Sequence, residues 1–405
     1  MDEHSGEDWS SYLAILCGGS AMVVAGLLAM NYSVDPYLIH QWDTPQVMRL
    51  QPARERLSAW GKTYAVARFR PTVVYLGNSR TEMGLPTAIP AFAGKDVFNS
   101  GLSGASLGDT VAMAQHAAAV SQLDTVIWGI DAPSFSMDVG NTDFDRGLVA
   151  QGQFYLWQRG LLDLKRALTV DMTRDSISLL MGRSGAICHS SLAQHGQRDE
   201  ACGNSARLGG WRGTRAAVVP RTREYLRGTG PTGEALHALA RALDGLCRTG
   251  TRVLLYINPT HALMQDALYW AGKWAPVEQW QRSLADLAER QRRHGCKVRV
   301  FDFSGFNSVT TEAIPQVTQR VVMDYYWETS HYRDNVGRMI LARMLGGDGT
   351  TVPDDFGAEL TPDVMPAHLA ALRTGRDRYH VEHRLETALA RATAAEQIAL
   401  PPQDK

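Results

Sequence analysis

Five short apolar runs, separated by helix-length amphipathic stretches, limit the possible folds of this chain more than any other feature. They are Thr72 to Leu76 (TVVYL), Asp96 to Phe98 (DVF), Thr125 to Ile130 (TVIWGI), Arg252 to Ile257 (RVLLYI) and Lys297 to Phe303 (KVRVFDF). Strands buried on both faces of a parallel sheet need this richness in β-branched and aromatic residues. Between the runs, Ser106 to Val120, Gly233 to Gly250 and Pro276 to Gly295 carry apolar residues at helical spacing, and two of these stretches close on a glycine. Repeated strand, helix, parallel-strand units with right-handed crossovers predict an α/β three-layer sandwich around a central parallel sheet of about five strands. Such sheets place ligand sites beyond the carboxyl ends of their strands, so the chemistry is sought there.

The rhythm is framed by other material. Residues 1–11 form an acidic leader. Tyr12 to Met30 (YLAILCGGSAMVVAGLLAM) has no charged side chain and approaches the ~20 residues that cross a ~30 Å hydrocarbon layer. A cleaved leader would begin basic and end on a small-x-small site, so 12–30 reads as a retained transmembrane anchor. The basic residues Arg49, Arg54, Arg56 and Lys62 lie too far beyond it for charge to settle its orientation. Residues 31–70 read as a juxtamembrane segment with helical patches. Residues 138–232 interrupt the α/β pattern and read as a helical insertion and candidate lid. Residues 346–405 read as an extension with a charged amphipathic helix from Asp377 to Leu400. That leaves 71–345 as the principal domain.

With 44% hydrophobic and 20% charged residues, the chain has ample material for a core. A net charge of -1, without basic runs, removes the electrostatic signature of nucleic-acid binding. Five scattered cysteines are too few for a disulfide scaffold, and Cys188 with Cys202 form either one bridge or two free thiols. Asp131 with Asp138, Asp143 and Asp145 reads as a polar loop, and no metal or cofactor is expected. Trp157, Trp211, Trp270, Trp274 and Trp280 read as packing residues, with sugar stacking as the alternative.

Two motifs carry chemistry. The first strand ends in Gly77-Asn78-Ser79, which puts the Ser79 hydroxyl at a strand-to-helix turn. A serine there is either a nucleophile awaiting a base or a helix cap. Far along the chain, Glu328-Thr329-Ser330-His331 precedes a final apolar helix. A carboxylate three residues before a histidine lets one turn direct both side chains the same way. Glu328 then orients one ring nitrogen while the other faces Ser79. Asp324 and Asp334 are alternative acids.

These segments resemble those of SGNH/GDSL-type hydrolases, particularly the extracytoplasmic branch similar to alginate O-acetylation and teichoic-acid D-alanylation proteins. The likeness spans about Thr72 to Leu345. The family's Gly-x-Ser block is similar to Gly77-Asn78-Ser79, and its Asp-x-x-His block to Glu328-Thr329-Ser330-His331, with Glu in place of Asp. Its glycine block, which supplies a backbone oxyanion donor, is similar to Asn99-Ser100-Gly101-Leu102-Ser103-Gly104, so Gly101 or Gly104 is the expected donor. Its Gly-x-Asn-Asp block is not matched at Gly129-Ile130-Asp131, which leaves Asn78, Asn99 and Asn258 as candidate side-chain donors.

The resemblance implies a serine O-acyltransferase or esterase with a flavodoxin-like sheet. Such a protein acts on acyl, chiefly acetyl, esters of an exopolysaccharide from the periplasmic side of a bacterial inner membrane, beside a multi-pass membrane acyltransferase. The rival expectation is a noncatalytic scaffold or glycan-binding component of a modification or secretion complex.

Overall fold

The computed structural model describes residues 4–37, 39–40, 55–140, 142, 144–150, 154–183, 195–198, 210–316, 318–347 and 349–399. Cys188 and Cys202 lie outside them, as do Arg49, Arg54 and Asp143. The five expected strands form as β1 (Val73–Leu76), β2 (Val97–Asn99), β3 (Thr125–Ile130), β4 (Arg252–Ile257) and β5 (Val298–Asp302), all mutually parallel. A sixth strand, β8 (Ala358–Glu359), pairs antiparallel with β5, giving the order β2-β1-β3-β4-β5-β8. The sheet is therefore mixed and six-stranded. At two residues, β8 has too little sequence to show an alternation.

Strand side chains alternate between two apolar clusters. Val74, Leu76, Val126, Trp128, Val253 and Leu255 point into one, while Val73, Tyr75, Ile127, Leu254 and Tyr256 point into the other. The first face is covered by α2 (Glu55–Phe69), α4 (Leu107–Val120), α8 (Gly233–Arg248) and α10 (Trp274–Arg293). Against the second pack α7 (Trp211–Leu226), α9 (Ala262–Trp270) and α11 (Asp334–Leu345). Local chemistry fixes the ends of these helices. Ser106 and Asp109 form a reciprocal capping box at the start of α4, and Thr232 caps α8 by accepting from the Ala235 N–H.

The carboxyl-terminal sequence joins this body. The single helix expected from Asp377 to Leu400 is instead two, α12 (Met365–Glu382) and α13 (Arg384–Ala399), broken at His383. Leu369 and Leu372 of α12 enter the first core, and Ala390 and Ala394 of α13 enter the second.

A disulfide joins Cys247, in the last turn of α8, to Cys296, just before β5. Sequence offered no reason to pair these two, because 49 residues separate them. At the amino terminus, α1 (His4–Val34) contains an apolar stretch, Trp9–Val34, long enough to cross a membrane, whose most apolar part is not covered by the rest of the chain. Within the insertion lie α5 (Tyr155–Ala167) and α6 (Val170–Leu180), which pack against the end of α1.

Candidate active site

The chain runs from β1 to β2 on one side, then returns to β3 on the other. The carboxyl ends of β1 and β3 therefore border the crevice where strand order reverses. Gly77 leaves β1 at φ 150°, a conformation that disfavours side chains, and an added Cβ would strike the Thr81 side chain. The chain then enters the short helix α3 (Ser79–Gly84), with Asn78 as its cap and Ser79 as its first residue.

The other half comes from a hairpin, β6 (Tyr326–Glu328) and β7 (His331–Tyr332), closed by Thr329 and Ser330. Glu328 and His331 face each other as a cross-strand pair. The expected three-residue contact thus arises from a hairpin turn. Two close approaches seat this unit on α3: the Tyr332 ring lies against Gly84, and Gly337 of α11 meets the Gly84 carbonyl, leaving no space for a Cβ at either glycine.

The Ser79 hydroxyl lies 2.8 Å from His331 Nε2, and His331 Nδ1 hydrogen-bonds Glu328 Oε1. With Nδ1 against a carboxylate, the ring proton sits there, and Nε2 is free to accept from Ser79. Glu328 is fully buried. Burial pushes its carboxyl up, but His331, Arg221 and the Ser330 N–H outweigh this, and the net shift is downward. It is therefore a carboxylate at neutral pH. Asp334 lies instead 3.5 Å from Arg338 and Asp324 is exposed, while His331 Nδ1 is taken by Glu328, so neither is the partner of His331.

Ser79 and His331 open into a cavity of about 240 Å³ that Asn78, Arg80, Gly104 and Asp131 also line. The backbone N–H groups of Ser79 and Gly104 have no acceptor among the described residues, so both are available to a ligand. The other expected donors are committed elsewhere. The Gly101 N–H donates to Asn99 Oδ1 at 2.9 Å, and a Cβ on Gly101 would press on the Glu82 backbone. Asn99 Nδ2 ties the Thr81 and Leu85 carbonyls, while Asn258 bridges Asp131 and Tyr332. Gly101, Asn99 and Asn258 therefore brace the site from behind. Asn78 lines the cavity; its Oδ1 accepts from the Arg80 N–H and its Nδ2 donates to Asp131 at 2.6 Å, leaving a second amide hydrogen on Nδ2.

Several neighbours carry no local sequence signal. Asp131, read as part of a polar loop, is buried at the end of β3, where Asn78, Asn258 and Arg80 converge on it. The clue was its place just past a parallel strand. Arg80 is buried beside the serine and reaches both Asp131, at 3.3 Å, and Ser330. From the insertion, Arg198, Arg221 and Tyr225 reach the cavity, with Arg221 Nε 3.7 Å from Glu328.

Beneath the glycine loop, buried Lys62 pairs with Glu82 at 2.9 Å and donates to the Gly101 carbonyl, while Ser103 donates to Glu82 at 2.6 Å. The residues that lead into Gly104 are thus clamped by an ion pair. None of the five tryptophans lines the cavity; Trp274 and Trp280 are core residues. Compared with known proteins, the sequence matches no family model and no curated protein.

Proposed function

We propose that this chain is a membrane-anchored, SGNH-type serine hydrolase or O-acyltransferase acting on acyl esters of an extracytoplasmic polysaccharide. The observation that carries the reading is the 2.8 Å approach of Ser79 Oγ to His331 Nε2, with a buried carboxylate on the opposite ring nitrogen. A hydroxyl, an imidazole and a carboxylate in line are the parts of an activated serine nucleophile.

In this mechanism Ser79 Oγ attacks the ester carbonyl carbon as its proton passes to His331 Nε2. Glu328 stabilises the imidazolium. The tetrahedral oxyanion is held by the Ser79 and Gly104 N–H groups and by Asn78 Nδ2, which takes the place of the missing block asparagine. The C–O bond to the alcohol then breaks, His331 returns the proton to the departing oxygen, and the acyl group remains on Ser79. An acceptor hydroxyl gives its proton to His331 as its oxygen attacks the acyl-serine carbonyl; the C–O bond to Ser79 then breaks, and His331 returns the proton to Ser79 Oγ. Water as acceptor makes an esterase; a sugar hydroxyl makes a transferase.

The exposed apolar length of α1 supports anchoring, and the Cys247–Cys296 bridge supports an oxidising, extracytoplasmic setting for the domain. The glycan class and the multi-pass acyltransferase partner follow from the family resemblance. The test is acetate release from acetylated glycans by the full chain, with and without an acceptor oligosaccharide. Turnover that is abolished by His331→Ala supports the reading. Turnover that persists in that variant refutes it.

A further inference from the structure

Helix α5 is inside out for a water-soluble surface helix. Phe154, Trp157, Leu161, Leu164 and Leu168 recur at three- and four-residue spacing along it and its caps, forming one stripe. Phe154 and Trp157 are 72% and 70% exposed, and no member of the stripe is below 47%. The opposite face carries buried arginines. Arg159 stacks 3.7 Å over the Tyr64 ring and donates to Thr63, and Arg166 pairs with Asp145 at 2.5 Å. A helix facing water on its outer side shows the reverse arrangement, with apolar residues inward. The exposed apolar surface continues onto α6 through Val170, Ile177 and Leu180.

The hairpin is tied to the end of the apolar helix. Asn31, in the last turn of α1, donates to the Ala167 carbonyl at 2.8 Å and to Thr173 Oγ1 at 3.0 Å. Just beyond, Tyr37 donates to Asp175 at 3.0 Å. The stripe therefore lies beside the point where α1 leaves its hydrophobic stretch. Exposed Lys165 and Arg174 sit on the same hairpin, and an aromatic residue with basic neighbours suits the headgroup region.

We propose that the α5–α6 hairpin lies in the surface of the bilayer that holds α1, with its apolar stripe among the acyl chains of an anionic phospholipid membrane, fixing the orientation of the domain. This rests on reading α1 as a membrane anchor. A second attachment beside the anchor turns a flexible tether into a fixed pose.

The test uses the full chain, in a Cys17→Ser background, in nanodiscs of equal parts phosphatidylcholine and phosphatidylglycerol. A fluorophore is attached at Trp157→Cys, Leu164→Cys, Val23→Cys or Asp286→Cys, and the unsubstituted parent gives the blank. Quenchers are acyl-chain-attached nitroxide and aqueous iodide. The expected result is loss of fluorescence to the lipid quencher, not to iodide, at 23, 157 and 164, and the reverse at 286. Lipid quenching at 23 with iodide quenching at 157 and 164 overturns the proposal while leaving the anchor intact, and assigns the stripe to a protein partner. Iodide quenching at 23 overturns the anchor and the proposal together. As a second variant, Leu161→Glu with Leu164→Glu is expected to make a label at 157 accessible to iodide; unchanged lipid quenching there contradicts the stripe's role.

Discussion

Arg80 and Ser330, 250 residues apart in the chain, are joined by two hydrogen bonds from one guanidinium: Nε donates to the Ser330 carbonyl at 2.9 Å, and Nη2 to its hydroxyl at 2.8 Å. Ser330 lies in the turn that faces His331 toward Glu328, and Arg80 adjoins Ser79. One buried side chain thus locks the two halves of the site together and also neutralises Asp131.

Arg80→Ala is expected to act on both stability and turnover. It leaves the Asp131 carboxylate buried without its cation, a change that costs about 3–5 kcal/mol when an isolated pair is broken. Asn78 and Asn258 still hold Asp131, so the lower end is expected, read from urea unfolding. Arg80→Lys, which keeps the charge but loses the fork, is expected to retain more stability than turnover.

The Asn78 side chain caps α3 and, in the proposed mechanism, also donates to the oxyanion; substitution separates the two roles. Asn78→Ser keeps a capping oxygen, so stability is expected to stay within about 1 kcal/mol. Loss of the amide N–H is expected to lower kcat by about 10²–10³. Ester hydrolysis measured beside thermal unfolding checks both, and unchanged kcat removes Asn78 from the oxyanion hole.

Acid should weaken the clamp beneath the glycine loop. Burial pushes the Glu82 carboxyl up, but Arg198, Lys62 and the Ser103 hydroxyl outweigh it and hold it down to about 2. The unfolded chain takes up this proton near the ordinary value of 4.5, before the folded chain does. The contribution is therefore complete above 4.5 and is lost as pH falls toward 2. Urea unfolding at about pH 6 and about pH 3 should show a smaller acid loss in Glu82→Gln than in the parent.

The Cys247–Cys296 bridge closes a long loop between α8 and β5. Loop-closure entropy alone gives about 4 kcal/mol for a separation of 49 residues. Cys247→Ser with Cys296→Ser is expected to lose about 2–4 kcal/mol, and a reducing agent should lower the melting temperature of the parent toward that of the double variant.

What the sequence made legible followed from local pattern. β3 is buried throughout and β4 from Val253 onward, and their observed limits match the apolar stretches residue for residue. Ser79, Glu328 and His331 stood out because a nucleophile at a strand end and a carboxylate just before a histidine are short-range signals. The parts that escaped depend on approach between distant segments. Nothing local to Arg80 points to Ser330, and nothing in the insertion marks Arg221 as a neighbour of Glu328. Asp131 reads as loop because further aspartates follow at Asp138, Asp143 and Asp145, whereas its three-dimensional neighbours are Asn78 and Asn258, just past the ends of β1 and β4. Gly101 and Asn99 resembled site donors because they lie in the right loop, but their hydrogen bonds turn inward.

Covalent labelling tests the proposed activation of the Ser79 hydroxyl most directly. The full chain, treated with a fluorophosphonate probe and digested for mass spectrometry, should carry the adduct on Ser79. The Ser79→Ala variant should take up none, and His331→Ala should label far more slowly while remaining folded. Absence of a Ser79 adduct, under conditions where a known serine esterase reacts fully, would contradict the account.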